Sequence, residues 1–233
     1  MEIKIKHPYE PYRRILQRMS EIKNKPPDLL FVFLRHGQST GNAEKRHQGQ
    51  ADFPLTDTGI LQAEQLASAW SESGVQFDLA ISSTQTRAKQ TAKIITDVIN
   101  TNIEFDPIWM ERDNGELAGL LHEEALLSHP PPDFIPLHQS IASSGESQWE
   151  LFLRAATAVN KLVKYPSGRY LIISHGGFLN MVMHALLGQT PQSNFQGPNF
   201  LFSNTGYSTI QYKPGNDNWI FFEHNNTSHL VNK

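Results

Sequence analysis

Two continuous apolar runs, each followed at once by a histidine and a glycine, constrain the fold of this chain more than any other feature. The first, Leu29–Leu34 (LLFVFL), precedes residues 35–37 (RHG), and the second, Tyr170–Ser174 (YLIIS), precedes residues 175–177 (HGG). Such runs are typical of strands that are buried on both faces of a parallel sheet. Because ligands bind outside the carboxyl ends of these strands, the two histidines are expected to share one binding site.

Strand and helix patterns alternate along most of the chain. Helical periodicity predicts four helices, at residues 57–73, 84–99, 146–164 and 178–187. Short strands are predicted at residues 79–81 and 103–105, and a closing hairpin at 207–213 and 219–224. This alternation predicts an α/β fold of three layers (α/β/α), in which helices cover both faces of a mostly parallel central sheet.

One predicted helix, at residues 146–164, carries a specific expectation about its buried side. The residues expected to face the core are Trp149, Phe152, Ala156, Val159 and Val163.

Two segments stand outside the alternation. Residues 1–27 are predicted to form a basic arm with a short amphipathic helix, expected to dock on the protein rather than on a membrane. Residues 28–233 are predicted to form one domain, interrupted by an insert at about 120–145. The insert is rich in proline and shows no periodicity, and inserts of this length are usually functional or mobile.

Composition and charge exclude several classes of protein. The chain has no cysteine, which excludes thiolate catalysis, cysteine-ligated zinc and disulfide scaffolds. Its net charge of −3 argues against a nucleic-acid partner. No apolar run approaches the roughly 20 residues that a transmembrane helix needs. Since no signal peptide is recognisable either, a cytoplasmic enzyme without a membrane partner is expected.

The residues beside the two histidines predict an anionic ligand. Arg35 follows a buried strand directly, and a guanidinium there needs an anionic partner such as phosphate, which it can bind through two nitrogens. Arg87, which follows the predicted strand at 79–81, is a second candidate cation. The glycines after each histidine allow close approach of a ligand, and the helices that follow offer free N–H groups to an anion.

Six ordered blocks of the sequence resemble the histidine phosphatase (phosphoglycerate mutase-like) superfamily, and its phosphatase branch in particular. The blocks begin at residues 35 (RHGQSTGN), 46 (RHQGQADFPLTDTG), 82 (SSTQTRAKQTA), 111 (ERDNGELAG), 145 (GES) and 174 (SHGG). Together with the tail, the resemblance covers residues 31 to 230.

The resemblance implies a role for five side chains. His36 would attack phosphorus and form a phosphohistidine, which divides one hydrolysis into two easier steps. Arg35, Arg87 and His175 would surround the phosphoryl oxygens and stabilise their charge. Glu111 would act as general acid and then as general base. Nearby Arg35 and Arg87 should also depress the pKa of His36, which favours the neutral nucleophile.

Further residues are implied in phosphate binding, namely Asn42, Gln48, Gly49 and Gly176. The resemblance implies no metal and no cofactor, because cations and histidines neutralise the phosphate. The expected partner is a small-molecule phosphate ester or a phosphopeptide. Gln38, Asn180 and residues 117–119 depart from common family patterns, so the natural substrate and the oligomeric state stay open.

Three alternatives compete with a phosphatase. Residues 37–41 match G-x-S-x-G and suggest a serine hydrolase with Ser39 as nucleophile, although the order of motifs is reversed relative to that fold. A phosphoglycerate mutase is the second alternative, disfavoured because no Lys or Arg lies between Arg112 and Arg154. The third is a non-catalytic module that binds a phosphorylated ligand.

The other histidines are mostly expected to be surface or packing residues. They are at positions 7, 47, 122, 129, 138, 184, 224 and 229.

Overall fold

A computed structural model describes residues 28–142 and 144–230 of the chain. The basic arm predicted for residues 1–27 lies outside the described residues. None of the helices in the described part is long and apolar enough to cross a membrane.

The strands of the described residues form one six-stranded sheet of order β3-β2-β4-β1-β5-β6. Their bounds are β1 Leu29–Arg35, β2 Leu79–Ser82, β3 Ile103–Phe105, β4 Gly168–Ser174, β5 Tyr207–Lys213 and β6 Asn218–Asn226. Strands β3, β2, β4 and β1 are parallel to one another, whereas β5 and β6 form the antiparallel hairpin at one edge. The predicted mostly parallel sheet and the closing hairpin are therefore confirmed.

Strands β1 and β4 are direct neighbours at the centre of the sheet. Their register pairs Arg35 with Ser174, the last residue of each strand. The backbone N–H of His36 donates to the Ser174 carbonyl at 3.0 Å, which extends the pairing by one residue. Both histidine-bearing loops therefore leave the sheet at the same edge and at the same height.

The helices of the described residues connect the strands in the predicted order. Their bounds are α1 Thr40–Ala43, α2 Asp57–Glu72, α3 Thr86–Ile99, α4 His122–Ser128, α5 Gln148–Leu162 and α6 Gly176–Leu186. Helix α2 begins after Thr56, whose hydroxyl accepts the Gly59 N–H at 3.1 Å.

Side chains that alternate along the central strands divide the core into two layers. Phe31 and Phe33 of β1 face one side, where they pack with Leu151 of α5 and Phe178 of α6. Val32 and Leu34 face the other side, where they pack with α2 and α3. Helices thus cover both faces of the sheet, and the predicted three-layer α/β/α architecture is confirmed.

The predicted buried side of α5 is confirmed in part, since Val159 is buried and Phe152 and Val163 pack against the core, but it is wrong for Trp149. Trp149 is 37% exposed and stacks on Phe152, whereas Leu151, Ala155 and Leu162 are buried against the sheet and α6. Helix α5 begins at a capping box in which Ser147 and Glu150 bind each other's backbone N–H. The small alanines on the buried side let the neighbouring helix approach closely, which an aromatic-based reading of the pattern overlooks.

The insert at 120–145 contains more regular structure than its sequence predicts. Residues 122–128 form helix α4, with Leu126 and Leu127 exposed. Helix α4 has two turns and buries only Ala125. Such a helix needs no stripe of apolar residues, which explains why the sequence shows no helical periodicity there.

Candidate active site

His36 lies at the carboxyl end of β1, and its two ring nitrogens have different partners. Nδ1 is 2.7 Å from the Gly37 carbonyl oxygen, which can only accept, so Nδ1 carries the ring proton. The Nε–H of Arg87 donates to Nε2 of His36 at 3.2 Å. Nε2 therefore keeps its lone pair, and the ring is held as the neutral tautomer whose nucleophilic nitrogen is Nε2.

The neutral form of His36 is also favoured by its surroundings. Burial lowers the pKa of His36 well below its usual range, and the charges of Arg87 and then Arg35 lower that pKa further. The prediction that the two arginines lower the pKa of His36 is confirmed in direction, but burial lowers this pKa more than they do. The side chain is only 2% exposed.

Arg87 stands in the first turn of α3 and is held in place by backbone carbonyls. Its Nη2 donates to the Gly49 carbonyl at 2.8 Å, and its Nη1 donates to the Ala51 carbonyl at 3.0 Å. Burial lowers the pKa of Arg87 to about 10, while the carboxylates of Glu111 and Asp52 oppose that shift. The guanidinium therefore stays charged at neutral pH inside the protein.

Arg35, the last residue of β1, keeps one donor without a partner. Its Nη1 donates to the Phe202 carbonyl at 2.7 Å, whereas its Nε is buried and forms no hydrogen bond to any described residue. Burial lowers the pKa of Arg35, and Glu111 opposes the shift.

His175, directly after β4, faces His36 with 5.0 Å between the ring centroids. Its Nε2 lies 2.8 Å from the Ser83 hydroxyl, and its Nδ1 is buried with no hydrogen-bond partner in the described part of the chain. Burial lowers the pKa of His175 well below its usual range, followed by the charge of Arg87. Since a buried polar atom without a partner is costly, these groups of Arg35 and His175 indicate a site built for a ligand with acceptor atoms.

Glu111 binds the N-terminus of helix α6. Its Oε2 accepts the Gly177 N–H at 3.0 Å, and its Oε1 accepts the Phe178 N–H at 2.8 Å. The anion at this helix end is therefore the carboxylate of Glu111, not the external ligand that the sequence predicted there. The packing is close, since a Cβ on Gly177 would lie 2.8 Å from Oε1 of Glu111.

The loop that carries Glu111 is fixed by two residues that sequence reasoning missed. Gln85 accepts the Glu111 N–H at 2.8 Å, and its amide donates to the Gly49 carbonyl at 3.0 Å. Arg154 of α5 donates to the carbonyls of Met110 at 2.7 Å and Glu111 at 3.2 Å. These are contacts between backbone and side chain across distant parts of the chain, and no local pattern signals them.

Arg35, His36, Arg87 and Glu111 line one cavity of about 320 Å³, whereas His175 is fully buried and does not line it. The candidate residues that line it are Arg35, His36, Gln48, Gly49, Arg87 and Glu111. Asn180 also lies in the wall, as its departure from the family pattern suggested. The volume is at the lower end for small-molecule sites and suits a small metabolite.

Of the remaining predicted phosphate ligands, Asn42 and Gly176 do not line the cavity, and Gln48, which does, is bonded within its own loop. Oδ1 of Asn42 accepts hydrogen bonds from Ser39 and from Asn204 Nδ2, the latter at 3.2 Å, so only its amide N–H groups are left for a ligand. Gln48 lines the cavity, but its Oε1 accepts from the Ser39 hydroxyl at 2.6 Å. Gly176 begins α6 beside the Arg35 guanidinium.

Four cationic or titratable residues of the cavity wall were not predicted as site residues, namely Arg46, His47, Arg112 and His122. His47 and His122 pack against each other, and His122 is exposed, as expected, but both also line the cavity. Arg46 and Arg112 also give the cavity wall the basic side chains that a mutase needs, although none lies between Arg112 and Arg154. Other histidines do follow the expectation, such as His184, which is buried and bonded to the Pro198 carbonyl.

Ser39 is not arranged as a serine nucleophile. The residue is completely buried and caps helix α1, where its hydroxyl bonds to Asn42 and Gln48. The hydroxyl has no hydrogen bond to a histidine. The G-x-S-x-G match at residues 37–41 therefore reflects a helix cap.

Gly37 serves packing, not the close approach of a ligand that its sequence suggested. A Cβ at Gly37 would lie 2.5 Å from the Gly59 carbonyl oxygen, and a Cβ at Gly59 would lie 2.0 Å from the Gln38 carbonyl oxygen. The two glycines bring the first turn of α2 against the loop that follows β1.

A protein with these residues around two facing histidines on this sheet is of the histidine phosphatase class, and comparison with known sequences agrees. Residues 31–227 match the profile of the histidine phosphatase superfamily (branch 1), and the chain belongs to this family. One relative, named probable phosphoglycerate mutase GpmB of Enterobacter sp. (strain 638), is 37% identical over 172 residues, which are 69% of this chain and 76% of the relative.

Solved structures show the same fold. Bacillus stearothermophilus YhfR superposes with a TM-score of 0.76 at 26% identity, over 86% of this chain and 98% of that protein. The α-ribazole phosphatase from Shigella flexneri superposes with a TM-score of 0.70 at 22% identity, over 88% of this chain and all (100%) of that protein.

Proposed function

We propose that this protein hydrolyses small phosphate monoesters through a covalent phosphohistidine on His36. The observation that carries the proposal is the state of the His36 ring. Its proton is tied to the Gly37 carbonyl, and the lone pair of Nε2 is aimed at the Arg87 guanidinium. A phosphate group that binds the Arg87 guanidinium is therefore placed next to Nε2 of His36, the nucleophilic nitrogen.

In the first step, Nε2 of His36 attacks phosphorus and the bond to the leaving oxygen breaks. Arg87 exchanges its bond to Nε2 for a phosphoryl oxygen, and the unpartnered Nε of Arg35 donates to another. In this proposal the Ser83 hydroxyl donates to Nε2 of His175, so the ring proton is on Nδ1. The Nδ1–H then donates a hydrogen bond to a third phosphoryl oxygen. These donors are already in place before the reaction, so their stabilisation of the transition-state charge costs little reorganisation.

Glu111 supplies the proton that the leaving oxygen needs. As general acid, the protonated carboxyl group delivers its proton to the departing alkoxide. In the second step, the carboxylate takes a proton from the attacking water, and the phosphohistidine breaks to release phosphate and restore His36. Gly177 and Phe178 keep the carboxyl group in position through both steps.

The remaining candidates support the phosphate site in this proposal. The free amide of Asn42, the Gln48 side chain and the backbone at Gly49 and Gly176 would contact or position the phosphoryl group. No metal or cofactor is needed, because the neutralising charge comes from the arginines. We also propose that residues 28–233 act as one cytoplasmic domain, with residues 1–27 as an arm of that domain.

A mutase-type phosphotransferase is the second candidate function. Arg46 and Arg112 in the cavity wall favour it, because a mutase must also bind the carboxylate of phosphoglycerate. The relative from Enterobacter carries a mutase name as well. Hydrolysis is the preferred proposal because His122, in the cavity wall, is exposed to solvent, so water can enter the cavity. A mutase must instead keep water away from its phosphoenzyme.

The experiment that tests both candidates follows phosphate release and the interconversion of 2- and 3-phosphoglycerate with the purified protein. Release from a panel of monoesters without interconversion supports hydrolysis, whereas interconversion that is faster than release supports the mutase. If no ester releases phosphate and no interconversion occurs, the protein is a module that only binds phosphorylated ligands. EDTA is included throughout, and activity is expected to be unchanged.

The variant His36→Ala tests the nucleophile in the same assay. It should abolish the acid-labile phosphoenzyme and lower kcat at least 10³-fold, while the control His129→Ala, at a histidine that does not line the cavity, should behave as the unsubstituted protein. Near-normal turnover of His36→Ala would show that His36 is not the nucleophile.

A further inference from the structure

Arg154 of helix α5 uses every N–H group of its guanidinium within the described part of the chain. Its Nε and Nη2 donate to the two carboxylate oxygens of Glu146, at 2.8 Å and 2.7 Å. The remaining N–H groups donate to three backbone carbonyls, those of Ile108 at 2.9 Å, Met110 at 2.7 Å and Glu111 at 3.2 Å. An arginine has five N–H donors in one planar group, so this side chain cannot turn without breaking a hydrogen bond.

The same guanidinium also contacts the helix that binds the Glu111 carboxylate. Its Cζ atom lies 4.2 Å from the centroid of the Phe178 ring. Phe178, in the first turn of α6, donates its N–H to Oε1 of Glu111 at 2.8 Å. Arg154 therefore contacts both sides of that hydrogen bond, namely the backbone of the loop that carries the carboxylate and the residue that binds it.

Glu146 extends the contact to the chain that follows Glu111. Its N–H donates to the Asp113 carbonyl at 2.8 Å, and its Oε2 accepts the Asp113 N–H at 3.3 Å. The packing is close here, because a Cβ at Gly145 would lie 2.7 Å from the same carbonyl oxygen. The ion pair of Arg154 and Glu146 thus binds the loop on both sides of Glu111.

This loop depends on side chains for its position. Residues 110–114 belong to no helix or strand, so no regular ladder of backbone hydrogen bonds holds them. The described wall of the cavity includes Glu111 but neither Arg154 nor Glu146, whose side chains are 20% and 13% exposed. The ion pair therefore lies behind the proposed general acid, outside the reach of a substrate in the cavity.

We propose that Arg154 and its partner Glu146 are positioning residues, which hold the Glu111 carboxyl group where it can protonate the leaving oxygen. The inference rests on the proposed function and deepens its account of the acid–base step. A general acid must lie within hydrogen-bond distance of the atom that it protonates. A misplacement of about 1 Å can lower the rate by about 10²-fold, so the support of the loop should have a large effect on this step.

The test compares two esters that depend differently on the general acid. The alkoxide of glycerol 3-phosphate needs a proton in order to leave, whereas p-nitrophenolate leaves without one. Because kcat/KM covers the steps up to the departure of the leaving group, only its value for the alkyl ester depends on the position of the Glu111 carboxyl group. We expect Arg154→Lys to lower kcat/KM for glycerol 3-phosphate by about 10²-fold and to leave that for p-nitrophenyl phosphate nearly unchanged.

The ratio of the two kcat/KM values separates positioning from a general loss of structure or charge. Both values are measured on one preparation, so any unfolded fraction cancels in the ratio. Lysine keeps the positive charge, and with it the effect of that charge on the pKa of His175, but it lacks the five planar donors. Glu146→Gln should lower the ratio as well, because an amide has one acceptor oxygen where the carboxylate has two. An unchanged ratio in either variant overturns the proposal.

The matched control is Lys161→Met. Lys161 also lies on α5 and pairs with Asp106, in the segment that leads to Glu111, at 3.3 Å. This variant should keep the ratio of the unsubstituted protein. An equal fall in Lys161→Met would show that any broken ion pair of α5 has the effect, and the assignment to Arg154 would be wrong.

A double variant shows whether the effect passes through Glu111. The ratio for Arg154→Lys/Glu111→Gln should equal that for Glu111→Gln alone, because a carboxyl group that is absent cannot be misplaced. A further fall in the double variant overturns the proposal, since Arg154 would then act separately from Glu111. Failure of the proposed function looks different, because the unsubstituted protein would then release phosphate from neither ester. Failure of the positioning role alone leaves both esters hydrolysed, with the same ratio in Arg154→Lys as in the unsubstituted protein.

Discussion

Arg87 donates from its Nε to Nε2 of His36 across 3.2 Å, so a buried cation touches the nitrogen proposed to attack phosphorus. The contact is possible only while that nitrogen is unprotonated. Arg87 therefore both selects the neutral tautomer and lies where the phosphoryl oxygens would bind. Its own position depends on carbonyls of the loop at residues 49–51, which ties the loop to the nucleophile.

The substitution Arg87→Gln should change the pH profile as well as the rate. Loss of the positive charge removes one cause of the lowered His36 pKa, so that pKa should rise towards 6.5 and protonated, inactive His36 should persist to higher pH. The acid limb of kcat/KM should move upwards in pH, and kcat/KM at its optimum should fall about 10²-fold or more. In the variant Arg87→Lys, the acid limb of kcat/KM should move less, because lysine keeps the positive charge. An unmoved acid limb in Arg87→Gln would mean that the limb does not report His36.

Glu111→Gln should lower kcat by about 10²- to 10⁴-fold for alkyl phosphates, because a glutamine cannot deliver a proton, although its amide oxygen can still accept a backbone N–H of α6 in place of one carboxylate oxygen. The loss in the first step should be much smaller for p-nitrophenyl phosphate, whose leaving group departs without protonation. A burst of nitrophenol followed by slow turnover is therefore expected in rapid-mixing experiments. Equal losses for both substrates would indicate that Glu111 acts only by holding α6 in place.

The contact between Gly59 and the loop after β1 predicts a loss of stability on substitution. A Cβ at Gly59 would lie 2.0 Å from the Gln38 carbonyl oxygen, so Gly59→Ala should lower the free energy of unfolding by about 1 to 3 kcal/mol. Gly215→Ala is the matched control, because nothing lies within 4 Å of a Cβ at that position. Urea unfolding of both variants measures the difference, and equal midpoints would contradict the close contact.

His229 predicts how stability depends on pH. Burial lowers the pKa of His229 to about 4, below the value of 6.5 for an unperturbed histidine. Between these values the unfolded chain binds the proton more readily, so the free energy of unfolding decreases as the pH falls from 6.5 and the loss is complete below 4. The full contribution is about 3 kcal/mol. His229→Gln should therefore show a shallower decrease of melting temperature over this range, and an identical slope would contradict the burial effect.

Much of the fold was predictable because it depends on local patterns. The apolar runs of β1 and β4 and the periodicity of α2 and α3 predicted elements of the right type within a few residues. The buried face of α5 was predicted only in part, because Phe152, Val159 and Val163 pack against the core as expected, while Leu151 is buried there and Trp149 faces outwards. Which stripe of a helix is buried depends on its partners, which here are the sheet and α6.

The sequence by itself determined which residues could bear the chemistry, since the blocks around His36, Arg87, Glu111 and His175 are local. Only the tertiary structure decided what each one contacts. The pairing of β1 with β4 brings the histidine rings to 5.0 Å, and the N-terminus of α6 binds Glu111 instead of an external anion. His47 and His122 meet through a ladder between segments about 75 residues apart, which no local pattern encodes. The sequence alone shows which residue types are present, whereas strand register and packing determine which of them make contact across the cavity.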